Sequence, residues 1–106
     1  MVDAGECRFL PQAQEDAIEQ AVYIAQDNLQ AADRFLEALE RSCELLATMP
    51  EMGSRRTFDN PALADVRMMP IKGFEKHLIF YRASPDGVEV IRIVHGARDL
   101  PTLFEE

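Results

Sequence analysis

The chain has 106 residues, and 19 Asp and Glu against 11 Lys and Arg give a formal charge of −8 and a pI near 4.7. This is one domain's worth of chain, taken as residues 1–106, and 47 % apolar with 28 % charged residues is a globular mixture that excludes disorder by composition. No apolar run approaches the ~20 residues that span a bilayer, and residues 1–6 have neither a basic nor an apolar leader region, so a soluble, cytoplasmic protein away from membranes is expected.

The two cysteines, Cys7 and Cys43, are 36 positions apart and match neither a metal knuckle nor a CxxC pair. They read as small buried hydrophobes. With only His77 and His95 as imidazoles and no Gly-rich phosphate loop, the expectation is no metal and no cofactor. Charge is uneven. Residues 1–51 hold 11 acids and three bases, a balance of −8, whereas residues 52–106 hold eight of each. Any positive surface is therefore built mainly from Arg55, Arg56, Arg67, Lys72, Lys76, Arg82, Arg92 and Arg98.

In chain order, residues 7–10 form a short extended stretch stopped by Pro11, read as a strand at a sheet edge. From 11 to 28 the set Ala17, Ile18, Ala21, Val22, Ala25 and Leu29 recurs at three and four, which predicts an amphipathic helix. Leu10 is a poor cap for it, and Asn28 suits the start of the next element. A second helix is predicted over 29–48, with Ala32, Phe35, Leu36, Leu39, Cys43 and Leu46 on its stripe and Pro50 beyond its end. So short a break folds the two helices back as an antiparallel hairpin.

After a polar, Pro-containing loop the period changes from 3.6 to 2. Strands are predicted over 63–69, closed by Pro70, then over 75–82 after a Lys72–Gly73 turn, and over 88–95 after the turn at 84–87. Three strands joined by tight turns are antiparallel. The fold class is α+β, in the order β-α-α-β-β-β, with a helix hairpin on one face of an antiparallel sheet.

The ordered set Asp65-Val66-Arg67, Pro70-Ile71-Lys72-Gly73-Phe74, Leu78-Ile79-Phe80-Tyr81-Arg82 and Val90 to Leu100 resembles the ParE branch of the RelE/ParE toxin superfamily. Pro11 and Asp16 in the first helix, residues 31–35 in the second, and Leu46 followed by Pro50-Glu51-Met52-Gly53 extend the resemblance over nearly the whole chain. It implies a bacterial toxin of a type II toxin-antitoxin pair, of the kind tied to plasmid stabilisation and growth arrest. It also implies hetero-oligomeric neutralisation by a ParD-like antitoxin and inhibition of DNA gyrase by binding rather than by catalysis. The other branch of the superfamily cleaves messenger RNA on the ribosome, and a member that binds antitoxin without being toxic is a third reading.

An RNA-cleaving site must hold a polyanion and stabilise a phosphorane-like transition state, which asks for clustered bases and an acid/base group. The charge of −8 opposes this, so direct nucleic-acid binding is not expected. Residues able to serve such a site are His95 as acid or base, Arg67, Arg82 and Arg98 as phosphate holders, and Tyr81 as a stacking or relay group. Each has a structural alternative: a capping His95, an Arg82 lying over a sheet edge, a Tyr81 packed in the sheet. Arg67 and Arg92 are candidates for ion pairs with Asp65, Glu89 or Asp99. Arg98 and Asp99, with Leu103 and Phe104 in the tail, are candidate contacts to the toxin's target. For the antitoxin, a groove between Tyr23, Ile24, Phe35 and Leu39 on the helix hairpin is the candidate site, with the edge strand as the other.

Overall fold

A computed structural model describes residues 5–55 and 61–96. The first strand, β1 (Glu6–Phe9), ends where Pro11 opens α1 (Pro11–Asp27). Proline suits that first helical position because its missing N–H would have had no helical partner, and no side chain of Leu10 caps the helix. Asn28 caps α2 (Leu29–Thr48), its side chain accepting the Ala31 N–H at 3.0 Å. Both helix ends thus fall where Pro11, Asn28 and Pro50 punctuate the sequence.

Beyond α2 lie a two-residue strand β2 (Ser54–Arg55), a 3-10 turn at Pro61–Leu63, and the strands β3 (Arg67–Ile71), β4 (Phe74–Ser84) and β5 (Gly87–His95). The strand predicted over 63–69 is displaced, because Pro61–Leu63 and residues 64–65 turn before the extended run starts. Pro70 does not close it. Among the described residues β2 pairs only with Arg67 and Met68, so β3 has no described neighbour on that side at Pro70, where no N–H is needed, and the chain stays extended to Ile71.

The sheet order is β1-β5-β4-β3-β2. β2 to β5 pair antiparallel, but β1 lies parallel to β5, with Glu6 opposite Gly87 and Phe9 opposite Val90. The sheet is therefore mixed at this edge, a correction to the all-antiparallel expectation: the helix hairpin returns the chain so that its first and last strands meet side by side. Gly87 has φ +148, and a Cβ there would overlap the Glu6 backbone, so only glycine lets β1 approach the β4–β5 turn this closely.

Both helices cover one face of the sheet. Ala13, Ala17, Ala21, Phe35, Leu39, Cys43 and Leu46 meet Ile71, Ile79, Tyr81, Val88, Val90 and Ile93 in the main core. The opposite face carries a smaller cluster of Val66, Phe80 and Val94, with Leu63, Met68, Leu78 and Ile91 against it. A bulge at Ile91 divides β5 between these tasks: Phe80 faces Arg92 and Tyr81 faces Val90, leaving one extra residue in β5.

Candidate functional site

Two polar assemblies and two apolar surfaces are the features that a hydrophobic core alone would not require. The first assembly closes the end of α2 onto the sheet. The buried Tyr81 hydroxyl donates to the Pro50 carbonyl at 2.8 Å and accepts the Gly53 N–H at 2.8 Å. Burial pushes the Tyr81 pKa up, against the opposing effects of the Gly53 N–H and the nearby Arg67 charge. Arg67 Nη1 donates to the Gly53 carbonyl at 2.8 Å and to the Glu51 carbonyl at 3.3 Å. A Cβ at Gly53 would sit 2.5 Å from the Tyr81 oxygen, which is why the segment Pro50-Glu51-Met52-Gly53 needs its glycine.

The second assembly lies at the other end of β5. β1 stops at Phe9, the Leu10 N–H reaches the Val90 carbonyl at 3.0 Å, and the remaining edge of β5 is taken up by side chains of α1. Asp16 accepts the Ile93 N–H at 3.0 Å, and Gln20 Nε2 donates to the Ile93 carbonyl at 2.8 Å. Asp16 also receives Arg92 Nε at 2.7 Å and Nη2 at 3.0 Å, a fork pairing in which the aspartate side chain is 7 % exposed. His77 Nδ1–H donates to Gln20 Oε1 at 2.7 Å, while its ring meets Phe35 at 4.9 Å and His95 at 5.2 Å, both edge to face. Arg92 thus pairs with Asp16, and Glu89 receives Arg8 at 2.9 Å; Asp99, the other partner expected for these arginines, lies outside the described residues. Arg67 holds backbone carbonyls, two strands away from Arg92 across β4.

The residues proposed for RNA cleavage are not brought together among the described residues. Tyr81 is opposite Arg67, and His95 is opposite His77. Four positions of β4 separate these rungs, about 13 Å at ~3.3 Å per residue. Tyr81 is fully buried, with its hydroxyl occupied by backbone, and Arg82 follows it in β4 with its side chain on the opposite face of the sheet. The Arg82 Nε and His95 Nδ1 atoms are buried with no hydrogen-bond partner. Arg98, Asp99, Leu103 and Phe104 lie outside the described residues.

The proposed antitoxin groove divides. Phe35 is wholly buried and Leu39 almost so; both belong to the core that packs α2 onto the sheet. Tyr23 is 63 % exposed and Ile24 half-buried. The sequence reading also missed a surface. Ile18 and Val22, assigned to the buried stripe of α1, are 63 % and 56 % exposed, whereas Asp16 and Gln20 are buried. The helix carries two stripes: small Ala13, Ala17 and Ala21 inside, and Ile18, Val22 and Ala25 at i, i+4 and i+7 on another side. The available signal was size, since the residues that fit against the sheet are alanines. Leu29, at the helix junction, is also exposed.

The last surface is a groove of about 460 Å³ between the edge strand and α2, lined by Gly5, Cys7 and Phe9 on one side and Leu36, Leu39, Glu40, Cys43, Glu44 and Ala47 on the other. No helix among the described residues is long and apolar enough to cross a membrane, and no group of three or more His, Cys, Asp or Glu among them could hold a metal ion.

Against known proteins, the fold is similar to a solved chain titled "Chromosomal ParDE TA system from P. aeruginosa", with a TM-score of 0.67 and 14 % sequence identity over 87 % of this chain and 96 % of that one. A comparison with curated proteins returns no match. The family profile described as the ParE toxin of type II toxin-antitoxin system, parDE, matches residues 7–100, which include the Tyr81–Gly53 closure, the Asp16–Arg92 pair and the whole β3–β5 meander. The chain belongs to the ParE toxin family of type II toxin-antitoxin systems.

Proposed function

We propose that this ParE-family toxin acts in the bacterial cytoplasm by binding DNA gyrase, without chemistry of its own, and is neutralised in a hetero-oligomer with a ParD-like antitoxin. The observation that carries this reading is the family match over residues 7–100. Geometry supports binding over RNA cleavage: Arg67 and Tyr81 are engaged with the 50–53 segment, and His95 stands about 13 Å along the sheet from them. The target contacts are assigned to Arg98, Asp99, Leu103 and Phe104, beyond the last described strand. For the antitoxin, the proposed surface is the exposed side of α1 around Ile18, Val22 and Tyr23, whereas Ile24 packs against the core. Eleven acids in residues 1–51 favour a basic antitoxin segment there.

The test is gyrase supercoiling of relaxed plasmid with antitoxin-free protein, and with the same protein re-bound to its antitoxin. Inhibition or trapped cleaved plasmid, reversed by antitoxin, is the expected result. Folded protein that leaves gyrase untouched while cutting messenger RNA in a translation reaction would overturn the reading.

A further inference from the structure

Cys7 and Cys43 are far apart in the chain but share the floor of the groove between β1 and α2. Strand alternation turns Cys7 and Phe9 toward the helix, while Glu6 and Arg8 face solvent. Cys43 is in the main core, and Cys7, half-buried, packs against that core from the groove side. The neighbours that could have filled the space are small: Gly5 on the strand side and Ala47 one turn beyond Cys43. Both cysteines thus line one open groove, Cys7 partly exposed there and Cys43 almost fully buried. This is the order in which an attacking thiol and a resolving thiol are arranged.

We propose that Cys7 and Cys43 are a reversible dithiol–disulfide pair that reacts with small disulfides entering the groove, and that its closure fastens the edge strand β1 to α2. In the first step the Cys7 thiolate attacks one sulfur of a low-molecular-weight disulfide. A Cys7 mixed disulfide forms, and one thiolate leaves and takes up the Cys7 proton. In the second step Cys43 loses its proton and attacks the Cys7 sulfur, which expels the second small thiol. Two protein thiols are oxidised by two electrons, and one small disulfide is reduced to two thiols. The influence of each thiol on the other fits these roles: the Cys43 side chain lowers the Cys7 pKa despite its burial, while the Cys7 side chain, burial, and the Glu40 and Glu44 charges push Cys43 up. Glu40 and Glu44 on the groove wall favour a cationic disulfide over an anionic one.

The probe is cystamine, a dicationic disulfide, applied to the folded full-length chain with thiol titration and non-reducing peptide mapping. The expected product is a Cys7–Cys43 bridge, ~2 Da lighter than the reduced protein, formed at least tenfold faster than in urea and reopened by dithiothreitol. With Cys43→Ala the reaction should stop at a Cys7 adduct ~75 Da heavier. Glutathione disulfide, which is anionic, should react more slowly than cystamine. A wild-type chain that halts at the Cys7 adduct, couples two molecules instead, or bridges no faster folded than unfolded overturns the proposal. None of these readouts depends on gyrase.

Discussion

Asp16 on α1 accepts the N–H of Ile93 on β5 at 3.0 Å, occupying the place a neighbouring strand would take had β1 run on past Phe9. With Arg92 in a fork on the same carboxylate and Gln20 on the Ile93 carbonyl, the helix finishes the edge of the sheet with side chains. Removing one partner of a buried charge pair leaves the other uncompensated, so Asp16→Ala should lower stability by about 3–5 kcal/mol. Asp16→Asn keeps an acceptor for the Ile93 N–H and should lose less. Urea unfolding of the two variants checks the order; equal losses would show that the backbone bond contributes nothing.

Tyr81 gives a pH-dependent counterpart. Tyr81→Phe strips the partner from the Gly53 N–H and the Pro50 carbonyl, at a cost of about 1–3 kcal/mol at neutral pH. Burial raises the phenol's pKa in the folded protein. In the unfolded chain a tyrosine ionises near pH ~10. Above that pH the unfolded state binds fewer protons, so the Tyr81 contribution falls as pH climbs from the unfolded value through the higher folded one. Thermal melts from neutral to strongly alkaline pH should therefore show a shallower alkaline decline in Tyr81→Phe than in the wild type.

The exposed stripe of α1 separates binding from folding. Ile18→Glu and Val22→Glu replace residues that touch no core, so each should change stability by less than about 0.5 kcal/mol. Binding of a ParD-like antitoxin should weaken at least tenfold, about 1.4 kcal/mol. Phe35→Ala is the contrasting variant: as a wholly buried core residue it should lose about 3–5 kcal/mol of stability. Calorimetric titration with the antitoxin, alongside melts, checks both; undiminished affinity in the double Glu variant would remove this face from the interface.

His95 tests the proposal that the toxin acts by binding and not by RNA cleavage. If toxicity arises from gyrase binding, His95→Gln should arrest growth as well as the wild type, at matched protein levels. A hundredfold loss of toxicity with unchanged melting would give His95 a chemical role.

What the sequence disclosed follows from how local each signal is. Pro11, Asn28 and Pro50 mark the helix ends, and Gly73 and Gly87 frame β4, because caps and turns are decided within a few residues. β2, at two residues, is too short to show a period. The parallel pairing of β1 depends on a partner 81 positions away at Gly87, and no periodicity carries that distance. Asp16 and Gln20 are polar residues interspersed among the apolar ones of α1, and polarity usually means exposure. They are buried because the unpaired edge of β5 supplies the partners they need. The shared groove of Cys7 and Cys43 escaped spacing rules for the same reason: it is made by topology, where the edge strand meets α2.

The partnership of β1 with β5 also sets an order of events during synthesis. Helices α1 and α2 leave the ribosome long before Val88 and Val90, the residues against which Cys7 and Phe9 must align. Until the final hairpin emerges, the alanine stripe of α1 and Phe35 of α2 have no sheet to cover. A chain that has not yet added β5 therefore lacks the strand on which both β1 and β4 pair, and an antitoxin segment meeting it at that stage would encounter helices without their sheet.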